Sequence, residues 1–208
     1  MKQQAFDLMP KKRPRQGRSQ LTWDTIVTAG TRILVERGYH GLTTNHVAEV
    51  AGVSIGSVYE YFPGKDAIVA AAASRFIDEM MASAMHILMH AHTLSARQGV
   101  RYAVEAFYRK LLQEKALLRV LFSQVPFTNE LDSFRSLNAV SLQLMTAANR
   151  QSSPEYRQLP SAASIYLLNT LIGGTLLQMT LMPLQGMAED EVLEALAQKI
   201  IEWTVAEE

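Results

Sequence analysis

The stretch from Thr43 to Ala67, "TTNHVAEVAGVSIGSVYEYFPGKDA", constrains the fold more than any other. It holds two short helical patterns joined through "AGVS" (Ala51 to Ser54), then stops at Pro63-Gly64 and restarts at Lys65. A glycine permits a tight turn and a β-branched residue plugs the corner, the construction of a helix-turn-helix. Thr43 is placed to cap the first of these helices and Ser54 the next, Ile55 to Phe62. That helix crowds Tyr59, Tyr61 and Phe62 into four residues. Ile55, Val58 and Phe62 fall at i, i+3 and i+7, which predicts a core face packed on Val47, Ala48 and a preceding helix. Gly56, Ser57, Glu60 and Tyr61 fall opposite, with Tyr59 at the flank, so two phenol hydroxyls are expected to point outward.

Outward hydroxyls beside a small, glycine-bearing surface suit a phosphate backbone, since Tyr, Ser, Thr and Lys side chains donate to phosphate oxygens and fix register. Ser54 to Ser57 are small enough to approach base edges in a major groove. Lys65 opens the next helix, and Thr43 and Thr44 open the previous one, where backbone N–H groups also favour an anion. Glu60 would repel phosphate and is expected to be a solvated charge.

The remaining chain is helical in pattern, without strand alternation. Residues 1–20 are polar and interrupted by Pro10, Pro14 and Gly17, which predicts a flexible arm. They carry six basic residues against Asp7 alone. The 208-residue chain is neutral in total, so the basic head sits on an acidic body and favours a polyanionic partner. Lys12, Arg13, Arg15 and Arg18 are candidate DNA contacts, either in a minor groove or as sequence-blind attraction, the second being favoured. A first helix is expected from a cap at Thr22 to a stop at Gly38. Helices are further predicted at about 65–89, 95–113, 116–124, 129–151, 161–182 and 188–206.

The succession "TTNHVAEVAGVSIGSVYEYFPGKDAI" resembles the DNA-binding signature of the TetR family of bacterial repressors. That pattern has a threonine before the second helix, then A-x-x-A-G-V-S, G-x-(L/V)-Y-x-(H/Y)-F, and a lysine beginning the fourth helix. The resemblance covers about residues 20–70. It implies phosphate contacts at Thr44, Tyr59, Tyr61 and Lys65, with Ile55, Gly56 and Ser57 nearest the bases. It also implies an all-α fold: an arm (1–20), a three-helix DNA-binding domain (21–68) and a larger helical ligand-binding and dimerisation domain (69–208).

The larger half is apolar and methionine-rich. Between Arg157 and Glu189 there is no charged residue, and "IYLLNTLIGGTLLQMTLMPL" is long enough to cross a bilayer. Asn169, Thr170, Thr175, Gln178 and Thr180 interrupt it, so it is expected to be a helix buried on all sides in a soluble protein. One apolar face (Ile165, Leu168, Ile172, Met179) can serve the chain's own core. Another (Leu167, Leu171, Gly174, Leu181) needs a partner; with the last helix it predicts a homodimer built as a four-helix bundle, which the resemblance also implies.

"FIDEMMASAMHILMHAHTL" spaces Met81, Met85 and Met89 by four, with His86 and His90 one residue on. It fits an adaptable core face, a wall of a small-molecule pocket, or a soft-metal site. Met85, Met89, Phe107, Phe122 and Tyr166 are the candidate pocket residues. No cofactor or resident metal is expected, and no phosphate-cradling glycine loop or H-E-x-x-H is present, which argues against an enzyme. The absence of cysteine and of a secretory signal fits the cytoplasm. The expected function is a repressor that releases a palindromic operator when a small, largely apolar ligand binds. The alternative is an architectural or metal-sensing DNA-binding protein without an organic inducer. Release by the ligand comes from the family resemblance.

Overall fold

A computed structural model describes residues 6–14, 17–150 and 154–206. Nine α-helices lie among them: α1 (Gly17–Gly41), α2 (Thr44–Ala51), α3 (Ile55–Tyr61), α4 (Lys65–Ala91), α5 (Ala96–Gln113), α6 (Lys115–Ser123), α7 (Asp132–Arg150), α8 (Ala162–Leu181) and α9 (Glu189–Thr204). The only β pairing among the described residues is an isolated bridge between Tyr156 and Val205. The fold is all-α, as the hydrophobic periodicity predicts.

Local chemistry accounts for most boundaries. Thr43 caps α2 by accepting a hydrogen bond from the His46 N–H at 3.2 Å, and Ser54 caps α3 by accepting from the Ser57 N–H at 3.0 Å. Gly52 closes α2 in the left-handed region (φ 66, ψ 30), a conformation that costs a glycine little. Gly38 interrupts the helical path near the end of α1 (φ 70, ψ 178), where a stop is expected. The start of α1 differs from expectation. It begins at Gly17, so Arg18 sits on a helix and not in an arm, and the Thr22 hydroxyl donates to the Arg18 carbonyl at 3.2 Å instead of capping. The helix expected over 129–151 is a 3₁₀ turn, Thr128–Glu130, then an extended Leu131 and α7.

The chain divides into two compact units. The first runs to Asp78 and takes in 116–135; the second holds 79–115 and 136–208. The expected division at 68/69 falls inside α4, within the first unit. Ile33 and Leu34 of α1, Val47 of α2, Val58 of α3, Ile68 of α4 and Leu121 of α6 are all sealed in the first unit's core. The second unit is built on α5, α8 and α9, with Val104, Leu168, Leu176, Met179, Leu196 and Ile200 in one cluster. Arg101 on α5 grips Glu194 on α9 through Nε and Nη2 at 2.9–3.1 Å, holding that carboxyl below its usual range.

In the single chain α8 is not buried on all sides. Ile165, Leu168, Leu176, Met179 and Thr180 are buried, whereas Tyr166 and Leu167 are each 57% exposed and both central glycines face open space. The helix is long and apolar enough to cross a membrane, yet only 22% of its most apolar window is buried within the chain. Apolarity all round predicted burial all round; the chain's own packing covers one stripe.

Candidate nucleic-acid interface

The open surface of the first unit is made by the turn between α2 and α3 and by the outer side of α3. Ser54, Ile55, Gly56 and Tyr59 are exposed and Ser57 is half-buried. The Ser54 and Ser57 hydroxyls lie 2.8 Å apart, and the Tyr59 hydroxyl lies 3.1 Å from that of Thr44 at the start of α2. The four hydroxyls thus lie in two close pairs, one at the start of α3 beside the exposed Gly56 and one between α2 and α3. Thr43, also exposed, has its oxygen engaged in the α2 cap.

Two side chains of α3 are placed otherwise than the i, i+3, i+7 reading requires. Tyr61 is 4% exposed, so its ring belongs to the core. Ile55 is 39% exposed and lies on the open side. The cause is Trp23 on α1, which stacks on Phe62 at 4.3 Å between ring centroids and meets Tyr61 edge-on at 5.9 Å. Val58, Tyr61 and Phe62 thus form the inward stripe at i, i+3 and i+4, and Ile55 is turned out of it. Of the two phenols expected to point outward, only Tyr59 does.

Lys65 is held in place before any ligand arrives. Its ammonium donates to the Tyr39 carbonyl at 3.2 Å and stands 4.1 Å from the centroid of the Tyr39 ring. Tyr39 is itself tied on three sides: its hydroxyl donates to Asp66 at 2.7 Å, its N–H donates to the Gln124 carboxamide at 3.1 Å, and its ring meets Phe127 edge-on. Burial, with the Asp66 carboxylate as partner, pushes the Tyr39 phenol above its ordinary pKa. Sequence reading missed Tyr39 and Gln124 as positioning groups. The available signal was the aromatic residue immediately after Gly38; its partner Gln124 lies 85 residues away.

The basic segment before α1 is ordered over residues 6–14, contrary to the flexible arm expected there. The Lys11 N–H donates to the Tyr61 carbonyl at 2.8 Å and its ammonium to the Tyr59 carbonyl at 3.2 Å. Lys12 pairs with Glu60 at 3.1 Å, and Phe6 packs on Phe127 with centroids 4.9 Å apart. Arg13 is exposed beside an open cleft of about 420 Å³ that Trp23, Asp24, Arg75 and Leu131 also line. Arg15 lies outside the described residues. Proline and polar composition predicted disorder; hydrogen bonding to the end of α3 prevails.

None of the candidate ligand residues lines either open cleft, the one beside Arg13 or the one at the end of α8. Met85, Met89 and Tyr166 are 49%, 63% and 57% exposed on α4 and α8. Phe107 packs half-buried against the C-terminal core, and Phe122, in the other unit, meets Phe134 edge-on at 5.5 Å. An open cleft of about 450 Å³ lies instead at the end of α8, lined by Thr175, Gln178, Met179, Met182, Leu184 and Val192. In the core beside it, the buried Tyr108 hydroxyl has no hydrogen-bond partner of good geometry. Burial, and then the nearby Glu189 carboxylate, push this phenol up to about 12. Among the described residues no three His, Asp or Glu side chains converge as a metal site.

Residues 26–72 match the family model "Bacterial regulatory proteins, tetR family". The chain is 30% identical over 97 residues to the HTH-type transcriptional activator FasR of Mycolicibacterium smegmatis, an alignment covering 47% of this chain and 43% of that protein. It is 21% identical over 109 residues to the HTH-type regulator YuxN of Bacillus subtilis, covering 51% of this chain and 37% of the other. The chain therefore spans less than half the length of these two curated relatives. Its fold is similar to that of a TetR-family protein from Mesorhizobium loti (TM-score 0.72, 13% identity, 92% of this chain and 100% of the other). It is also similar to that of the fatty acid degradation regulator FadR from Bacillus halodurans (TM-score 0.63, 17% identity, 89% and 95%). Residues 26–72, which hold the capped α2 and α3 and the Gly52 turn between them, are thus a helix-turn-helix segment that matches the tetR family model.

Proposed function

We propose that this chain is a cytoplasmic transcriptional regulator that binds double-stranded DNA as a homodimer and releases it when a small, largely apolar ligand binds the C-terminal unit. The observation that carries the reading is the exposed side of α3, where the Ser54 and Ser57 hydroxyls pair beside Gly56 and the Tyr59 hydroxyl meets that of Thr44. In this reading Thr44, Tyr59 and Lys65 hold phosphates, and Ser54, Ile55, Gly56 and Ser57 approach base edges. Tyr61 acts from the core by setting the rotation of α3. Thr43 acts through the cap of α2, and Arg18 through the field of the first turn of α1.

The dimer is supported by the uncovered side of α8, with Tyr166, Leu167, Thr170, Gly173 and Gly174 exposed, and by Trp203 on α9, which is 41% exposed. A two-fold dimer presents two copies of α3 to a palindromic site. The cleft at the end of α8, with its methionine and leucine walls, supports an apolar effector, and its volume falls within the roughly 300–1,000 Å³ of small-ligand pockets. The similarity in fold to a regulator of fatty acid degradation agrees with that chemistry. The effector regulates only through a difference in affinity between DNA-competent and DNA-incompetent states.

The test is selection of bound fragments from genomic DNA by the purified chain, followed by fluorescence anisotropy on the recovered duplex. A palindromic consensus bound by dimers supports the reading; indifference to every duplex at low salt refutes it. A reporter placed behind that duplex decides the sign of control, which the activator among the relatives leaves to experiment.

A further inference from the structure

The C-terminal end of α3 has an electrostatic problem. Its last carbonyls carry the negative pole of the helix, Glu60 adds a carboxylate, and the helix has no basic residue of its own. A DNA backbone passing Tyr59 would meet this negative end. The segment before α1 lies across it. Lys11 spends its N–H on the Tyr61 carbonyl and its ammonium on the Tyr59 carbonyl, while Lys12 pairs with Glu60 and stands 5.9 Å from the Tyr61 ring centroid. Phe6 pins the other end against Phe127. Both lysines remain open to water: the Lys12 side chain is 57% exposed and Lys11 is exposed.

We propose that Glu60 is the anchor of the basic arm: it holds Lys11 and Lys12 over the end of α3, so that the recognition helix and the arm form one phosphate-binding surface. This rests on the DNA-binding reading above and adds a positioning role for an acidic residue on the DNA side. Two lysines against one carboxylate turn a repulsive helix end into one with a net positive charge. Holding the arm in advance also spares the DNA complex the entropy of ordering it.

Simple charge counting and this proposal disagree in sign. If Glu60 acts only as a charge near phosphate, Glu60→Gln tightens DNA binding. If it anchors the arm, Glu60→Gln weakens binding about two- to fivefold, the range an exposed ion pair allows. The same substitution made in a Lys11→Ala/Lys12→Ala chain, where nothing remains to anchor, then tightens binding or leaves it unchanged. Limited trypsin digestion of the full chain without DNA reads the anchoring directly. Glu60→Gln should speed cleavage after Lys11 and Lys12, with cleavage elsewhere unchanged and circular dichroism showing an intact fold. Tighter binding by Glu60→Gln in the parent chain, or an unchanged rate of cleavage at the two lysines, overturns the proposal. Failure of the parent to bind any duplex refutes the DNA-binding reading, and the trypsin comparison still decides whether Glu60 holds the arm.

Discussion

Replacing Gly38 by alanine tests how the first unit is fastened. At φ 70 and ψ 178 this residue sits in a region of backbone space that is essentially glycine's alone. An L-residue held there costs about 1–3 kcal/mol in backbone strain. The added Cβ would also overlap the carboxamide oxygen of Gln124, the group that accepts the Tyr39 N–H. Moving Gln124 aside leaves that part-buried N–H short of its acceptor, at a cost of about 1–2 kcal/mol. Together Gly38→Ala should destabilise by about 2–5 kcal/mol, and for a chain of this size each kcal/mol lowers Tm by about 2–4 °C. Differential scanning calorimetry should therefore show a Tm lower by at least about 4 °C. Gln124→Ala alone should cost only the hydrogen bond. The double variant should be about as stable as Gly38→Ala, because both changes remove the same bond. A Gly38→Ala chain that melts with the parent, or full additivity in the double variant, would refute this account of the junction.

Other substitutions separate surface from core on α3. Tyr59→Phe removes an exposed hydroxyl and should weaken binding to all duplexes while leaving Tm unchanged; Tyr61→Ala empties the space beside Trp23 and should cost about 3 kcal/mol in chemical denaturation. Leu167→Glu puts a charge on the open side of α8 and should yield monomers by analytical ultracentrifugation with weakened DNA binding. Tyr108→Phe removes a buried hydroxyl that lacks a well-made hydrogen bond and should hold or raise stability, by about 1 kcal/mol. The folded phenol ionises near 12 and the unfolded one near its ordinary value of about 10. Stability from keeping it protonated is therefore complete below pH 10 and lost as pH rises from about 10 to 12. The urea midpoint of Tyr108→Phe should fall less steeply than the parent's over that range, and an equal slope would show that this phenol is not what titrates.

Much of the architecture was legible because it is local. Thr43, Gly52 and Ser54 cap and turn the chain through their own backbone neighbours, so a single sequence specifies them. The inward face of α9, Leu193, Leu196, Ala197 and Ile200, repeats often enough for its period to fix its orientation. The rotation of α3 is another matter. Seven residues make barely two turns, and Ile55 or Tyr61 could complete an inward stripe with Val58 and Phe62. Trp23, more than thirty residues earlier on another helix, makes that choice, and no local pattern reports it. The arm shows the same limit: its prolines and charges describe a soluble segment, but the acceptors that order it lie at the far end of α3. For α8, the missing charges declared that both sides avoid water, and only packing showed which side the chain covers itself. Sequence determined what depends on neighbours a turn away. Tertiary structure decided which of several acceptable faces turned inward, because that depends on groups the chain brings together only by folding.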